Sequence, residues 1–109
     1  MKYASIVDPV LEDFLGRIQP LSSKIKQLCL FGSRARGDSR IDSDYDILMV
    51  VTRKDDQLID TVYEVVMDVL LTHGRLVSLK IFPEHEFERL IRLQTPFLQR
   101  VLAEGVVLG

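Results

Sequence analysis

The chain has 109 residues, enough for one domain (1–109) with a single core and no room for a second. An apolar share of 47% and a charged share of 28% are ordinary for a soluble globular protein, and a net charge of −2 argues against general nucleic-acid or membrane-surface binding. The single cysteine excludes an internal disulfide; Cys29 sits in an apolar run and reads as a buried, inert thiol.

Asp8, Pro9, Glu12 and Asp13 interrupt any apolar N-terminal stretch, so no signal peptide is expected. No window approaches the ~20 apolar residues of a membrane span, and a cytoplasmic protein is the expectation. The first helix is predicted over Pro9–Ile18: Asp8 is a good N-cap, Pro9 suits the first turn, and Val10, Leu11, Phe14, Leu15 and Ile18 recur at helical spacing before Pro20 ends it. Lys26–Phe31 reads as a strand, with Leu28 and Leu30 on one face and Cys29 and Phe31 on the other. Arg34–Ser43 is polar and contains Gly37, which predicts a short helical turn and then a loop.

Asp44–Thr52 is the second strand. Asp44, Asp46, Leu48 and Val50 share one face; Tyr45, Ile47, Met49 and Val51 share the other. Past the two aspartates both faces are apolar, as for a central strand covered on both sides. Asp55–His73 is the longest helix, with Leu58, Ile59, Val62, Val65, Val66, Val69 and Leu70 as its apolar stripe, Asp55 and Asp56 at its start and Gly74 at its close. Leu76–Phe82 is a third strand. Two helices follow, Glu84–Leu93 and Pro96–Ala103, the second opening with a Thr95 cap and ending at Gly105. The apolar tail Val106–Leu108 is suited to pair on a sheet edge or pack on a partner. The fold class is α/β (α+β): a small mixed sheet of three or more strands covered by helices. So small a sheet leaves exposed apolar positions, which favour a homo-oligomer or a complex.

Leu30–Val51 carries the chemistry. It joins a strand to the Gly32–Ser33 turn, then to a loop in which Arg34, Arg36 and Arg40 fall within seven residues, then to Asp44 and Asp46. A turn with backbone N–H groups and a hydroxyl can cradle phosphate oxygens, and arginines can neutralise them. Two carboxylates on one strand face can grip magnesium, which prefers few carboxylates completed by phosphate oxygens and water. Arg36 is a candidate phosphate contact, a solvated loop arginine being the equal alternative; Arg40 reads as surface. Tyr45, between the aspartates but on the opposite face, reads as packing. His73 reads as a cap that compensates a helix dipole, and His85 has no second His or Cys nearby for a zinc site.

The run GSRARG, ten residues between Ser33 and Asp44, and Asp-x-Asp opening an apolar strand resemble the DNA polymerase beta-like nucleotidyltransferase superfamily, in particular its minimal nucleotidyltransferase domains. The resemblance implies a mixed sheet with helices on one side, an NTP (most often ATP) bound by Gly32 and Ser33, and Mg2+ bound by Asp44 and Asp46 as the catalytic pair. It implies transfer of a nucleoside monophosphate to a hydroxyl or phosphate acceptor. It also implies a toxin–antitoxin setting, in which such a domain pairs with a helical HEPN-type ribonuclease and neutralises it, in some cases by adenylylating a tyrosine. Active members usually place a third carboxylate on the neighbouring strand as base for the acceptor. Here that strand offers Ser78 and Lys80, with Glu84 and Glu86 only beyond Pro83. An antitoxin-like binding protein with little or no catalysis is therefore the alternative expectation.

Overall fold

In the computed structural model, residues 2–3 and 8–108 are described. Strand β1 (Lys2–Tyr3) is followed by α1 (Pro9–Ile18), a 3-10 turn (Gln19–Lys24), β2 (Ile25–Phe31), α2 (Gly32–Arg36), β3 (Tyr45–Val51), α3 (Asp56–His73), β4 (Val77–Pro83), α4 (Glu84–Arg92), α5 (Pro96–Glu104) and β5 (Val106–Val107). Local chemistry sets several of these boundaries. The Asp8 carboxylate accepts from the N–H groups of Val10 (2.8 Å) and Leu11 (3.2 Å), and Asp55 does the same for Leu58 (2.8 Å). Gly74, in the left-handed region at φ +67°, closes α3. Thr95 does occupy the N-cap position of α5, but its side chain makes no capping hydrogen bond, so Pro96 starts that helix without the expected hydroxyl.

The sheet has five strands in the order β1-β5-β2-β3-β4, not only the three that periodicity predicts. β2 and β3 are antiparallel, from Ile25↔Val51 to Phe31↔Asp46, and β3 and β4 are parallel, from Tyr45↔Val77 to Val51↔Pro83. The apolar tail pairs antiparallel to β2 as β5, and β1 adds parallel to it. Pro83 has no N–H to donate and is tolerated because β4 is an edge strand.

Helices cover both faces, which corrects the one-sided arrangement that the resemblance implies. On one face, Val10, Leu11, Phe14 and Ile18 of α1 and Leu58, Val62, Val66 and Val69 of α3 close over Leu28, Leu30, Ile47, Met49 and Val51. On the other, Phe87 of α4 and Leu98 and Val101 of α5 cover Cys29, Leu48 and Val50. The double apolar pattern of β3 explains this: a strand with Leu48 and Val50 on the second face needs cover there too. Each fully buried aliphatic side chain contributes about 1.5–3 kcal/mol. No helix among the described residues is long and apolar enough to cross a membrane.

Candidate active site

The turn after β2 and the start of β3 meet because Gly32 lacks a side chain. Gly32 has φ +73°, a conformation that L side chains rarely adopt, and a Cβ built there would overlap the Asp46 carboxylate. The backbone that would cradle a phosphate thus lies directly against an acidic side chain. From Gly32 the chain forms α2, which ends at Gly37 (φ +83°). Both Gly37 and Asp38 donate their N–H groups to the Ser33 carbonyl (2.9 and 3.1 Å).

Arg34 organises the loop that follows. Its Nε and Nη2 donate to the Ser43 carbonyl (3.1 and 2.8 Å), and Nη2 also reaches the carbonyls of Ile41 (3.0 Å) and Arg40 (3.3 Å). The guanidinium lies over the Tyr45 ring, 4.0 Å from its centroid. So many internal partners make Arg34 a brace for the segment that delivers Asp44. Tyr45 points into the α1/α3 core, as expected, and its hydroxyl donates to Asp8 Oδ2 (2.8 Å). Burial, then the hydrogen bond to Asp8, push its pKa up to about 12.

Asp44 is exposed just before β3, and Asp46 is half-buried within it. Burial, and then the neighbouring Asp44 carboxylate, raise the Asp46 carboxyl above its ordinary value, while Lys80 and Arg36 oppose the rise. Two carboxylates close enough to repel, beside two cations, form a hard-oxygen donor set suited to a divalent ion and an anionic ligand. The Cys29 thiol, by contrast, is fully buried against Leu48, Leu98 and Val101, and burial raises its pKa.

A family model described as "Polymerase beta, Nucleotidyltransferase" matches residues 17–108. The chain belongs to this nucleotidyltransferase family. A protein of Methanocaldococcus jannaschii, named for a proposed protein adenylyltransferase activity, is 36% identical over 85 residues, spanning 78% of this chain and 79% of the relative. Among solved structures, a chain from a mutant toxin–antitoxin complex, MntA-HpeT, superimposes with a TM-score of 0.62 at 19% identity, over 95% of this chain and 73% of that one. A chain from a toxin–antitoxin structure with AMP-PNP superimposes with a TM-score of 0.57 at 18% identity, over 90% of this chain and 71% of that one. Both share the nucleotidyltransferase fold. The family is one of transferases that use a nucleoside triphosphate.

On β4 of this nucleotidyltransferase domain, Ser78 stands opposite Asp46 of β3 and Lys80 opposite Leu48, all on the face covered further along by α4 and α5. Glu84 and Glu86 begin α4 beyond Pro83, and Pro83 pairs with Val51 at the far end of the sheet. Pro83 lies five residue steps along the strand from Ser78, about 16 Å. Neither glutamate reaches the aspartates, and among the described residues no three His, Cys, Asp or Glu side chains gather to hold a metal ion. His73 does more than compensate a dipole: its Nε2 lies 2.9 Å from Asp13 Oδ2 and ties the end of α3 to α1.

Sequence reading missed the contribution of α5. Arg36 is held by Asp38 (3.3 Å) and by Glu104 (3.3 Å), which lies 68 residues further along the chain. Phe31, Gly32, Arg36, Phe97, Arg100 and Glu104 line a cleft of about 130 Å³ beside the turn, and Phe97 meets Phe31 edge to face at 5.5 Å. Only the amphipathic spacing of α5 hinted that one of its faces would be free to do this. A larger apolar groove of about 270 Å³, lined by residues that include Leu15, Ile18, Leu28 and Leu108, contains no ionisable side chain and stands apart from the site.

Proposed function

We propose that this nucleotidyltransferase domain transfers a nucleoside monophosphate, taken from ATP, to a hydroxyl on a protein acceptor, with Gly32 and Ser33 holding the β- and γ-phosphates and Asp44 and Asp46 holding Mg2+. The observation that carries this reading is the contact of Gly32 with the Asp46 carboxylate, because it makes a phosphate cradle and an acidic grip into one site. The relative named for protein adenylyltransferase activity supports AMP and a protein acceptor, and the AMP-PNP structure supports an adenine nucleotide.

Bound magnesium would supply charge neutralisation for the triphosphate and the departing pyrophosphate. The Ser33 hydroxyl and the turn backbone fix the phosphate chain. Arg36 adds positive charge beside it, in competition with Asp38 and Glu104. Asp44 and Asp46 orient the assembly, held in place by the Arg34 brace and the β3 ladder. No carboxylate of β4 or α4 takes the proton of the acceptor hydroxyl, so that role falls to the acceptor itself or to a partner chain. Transfer of label from α-labelled ATP to an acceptor protein tests the reading: Asp44→Asn and Asp46→Asn each reduce it by at least about 100-fold. Undiminished transfer in both variants removes Asp44 and Asp46 from the site.

A second reading has its own observation. On the outer side of α3, Tyr63, Met67 and Leu71 are 46%, 51% and 79% exposed at successive four-residue steps, an apolar ridge on a helix otherwise edged by acids. Both similar toxin–antitoxin structures support assembly with a second protein, here a HEPN-type ribonuclease whose activity the domain blocks by contact. Neutralisation of that ribonuclease by the Asp44→Asn/Asp46→Asn double variant would favour contact over catalysis. Loss of neutralisation would favour transfer.

A further inference from the structure

A two-ion phosphoryl-transfer site places its cations about 4 Å apart, one toward the entering and one toward the leaving oxygen, and needs protein oxygens for both. In this domain the row of side chains at the level of Asp46 runs Phe31, Asp46, Ser78 across β2, β3 and β4, and Lys80 follows one step along the same face. Phe31 offers no ligand atom, and Ser78 offers a neutral hydroxyl. Lys80 offers an ammonium group, a donor of hydrogen bonds with no lone pair for a metal, where a further carboxylate would complete a second ion's shell. The Lys80 side chain is exposed, and among the described residues it forms no hydrogen bond or ion pair; Arg36, the other cation near Asp46, is held by two carboxylates. Lys80 stands two residues from Ser78, the strand neighbour of Asp46, and shares its face of the sheet.

We propose that this site takes a single divalent cation with its nucleotide, and that the Lys80 ammonium stands in for the second as a fixed charge toward the phosphate chain. The proposal rests on the reading of Asp44 and Asp46 as metal-holding residues. A fixed ammonium neutralises phosphate without needing ligands of its own, and it repels a second divalent ion from the space beside Ser78. Part of the nucleotide affinity then persists without any metal. A resident lysine cannot position a deprotonated acceptor oxygen as a coordinated ion can, so the acceptor has to bring its own means of losing the proton.

The test counts ions. Mn2+ is titrated into the full chain holding one equivalent of α,β-methylene ATP, which cannot be cleaved at the transferred phosphorus, and free Mn2+ is read by electron paramagnetic resonance. One Mn2+ per chain is expected in the native protein, and two in Ser78→Asp/Lys80→Ala, which supplies the carboxylate and removes the cation. In EDTA, Lys80→Ala weakens binding of the analogue on the order of tenfold. Two ions in the native chain, one ion in a double variant whose circular dichroism is native, or unchanged metal-free affinity in Lys80→Ala overturns the proposal. Failure of the native chain to bind the analogue at all, with Mn2+ or without, overturns the nucleotide reading beneath it as well, and so is distinguishable from an ion count of two.

Discussion

The two faces of the sheet are built to different ends. Seventeen buried side chains form the cluster under α1 and α3, against six under α4 and α5, and every polar group proposed for chemistry lies at the thinly covered end of the second face. The first face is a continuous apolar seam that closes over β3 from Tyr45 to Val51. The second gives way from Leu48 and Val50 to Asp46, Ser78 and Lys80. One strand therefore serves as keel on one side and workbench on the other. A charged, partly desolvated row is affordable because the opposite face holds the fold.

That contrast can be broken by truncation. Phe14→Ala, which empties a fully buried ring position on the first face, is expected to cost about 3–5 kcal/mol in urea unfolding, and Leu98→Ala on the second face about 2 kcal/mol. Equal losses would mean that the two faces share the burden. Gly32→Ala comes next. The left-handed backbone conformation alone costs about 1–2 kcal/mol, and the new methyl displaces Asp46, so nucleotide binding falls together with stability. Asp46→Asn has the opposite sign. Burial and Asp44 disfavour the carboxylate in the ligand-free fold, so its removal is expected to raise Tm by about 1–3 °C in metal-free scanning fluorimetry, although transfer is lost. A fall in Tm would show that Asp46 supports the fold after all.

The smallest effect belongs to the α1/α3 edge. Hydrogen bonds from His73 and then from Arg17 hold the Asp13 carboxyl below its ordinary value. A depressed carboxyl contributes stability that is complete above its unfolded value, near 3.8, and is lost as pH falls through the lower folded value. Asp13→Asn should accordingly flatten the acid limb of the stability profile below about pH 4. An unchanged acid limb would leave the pair without energetic weight, as many exposed pairs are.

Much of this arrangement was legible because it is local. The period of two in Asp44–Val51 separates the faces of β3 correctly, and the apolar second face already calls for helices on both sides of the sheet. Gly32, Ser33, Asp44 and Asp46 fall within fifteen residues, so a single strand–turn–strand unit brings them together. What stayed hidden depends on distant partners. Periodicity cannot show that Glu104 grips Arg36, nor that Lys2–Tyr3 extends the sheet beyond β5. The register of two parallel strands is set by the whole α3 crossover, so the places of Ser78 beside Asp46 and of Glu84 at the far end emerge only with the fold. Thr95 has the right residue type in the right position, yet leaves the α5 backbone uncapped.

The hydrogen bond from Tyr45 to Asp8 couples positions that no motif connects. Asp8 caps α1 with one oxygen and receives the tyrosine hydroxyl with the other, while Tyr45 sits between the two aspartates in sequence and under the Arg34 plane in space. Positions 8 and 45 should therefore be inherited as a unit. A lineage that drifted to phenylalanine at 45 would strand one carboxylate oxygen and slacken the loop, so its compensating change would be sought at the mouth of the first helix, far from any phosphate.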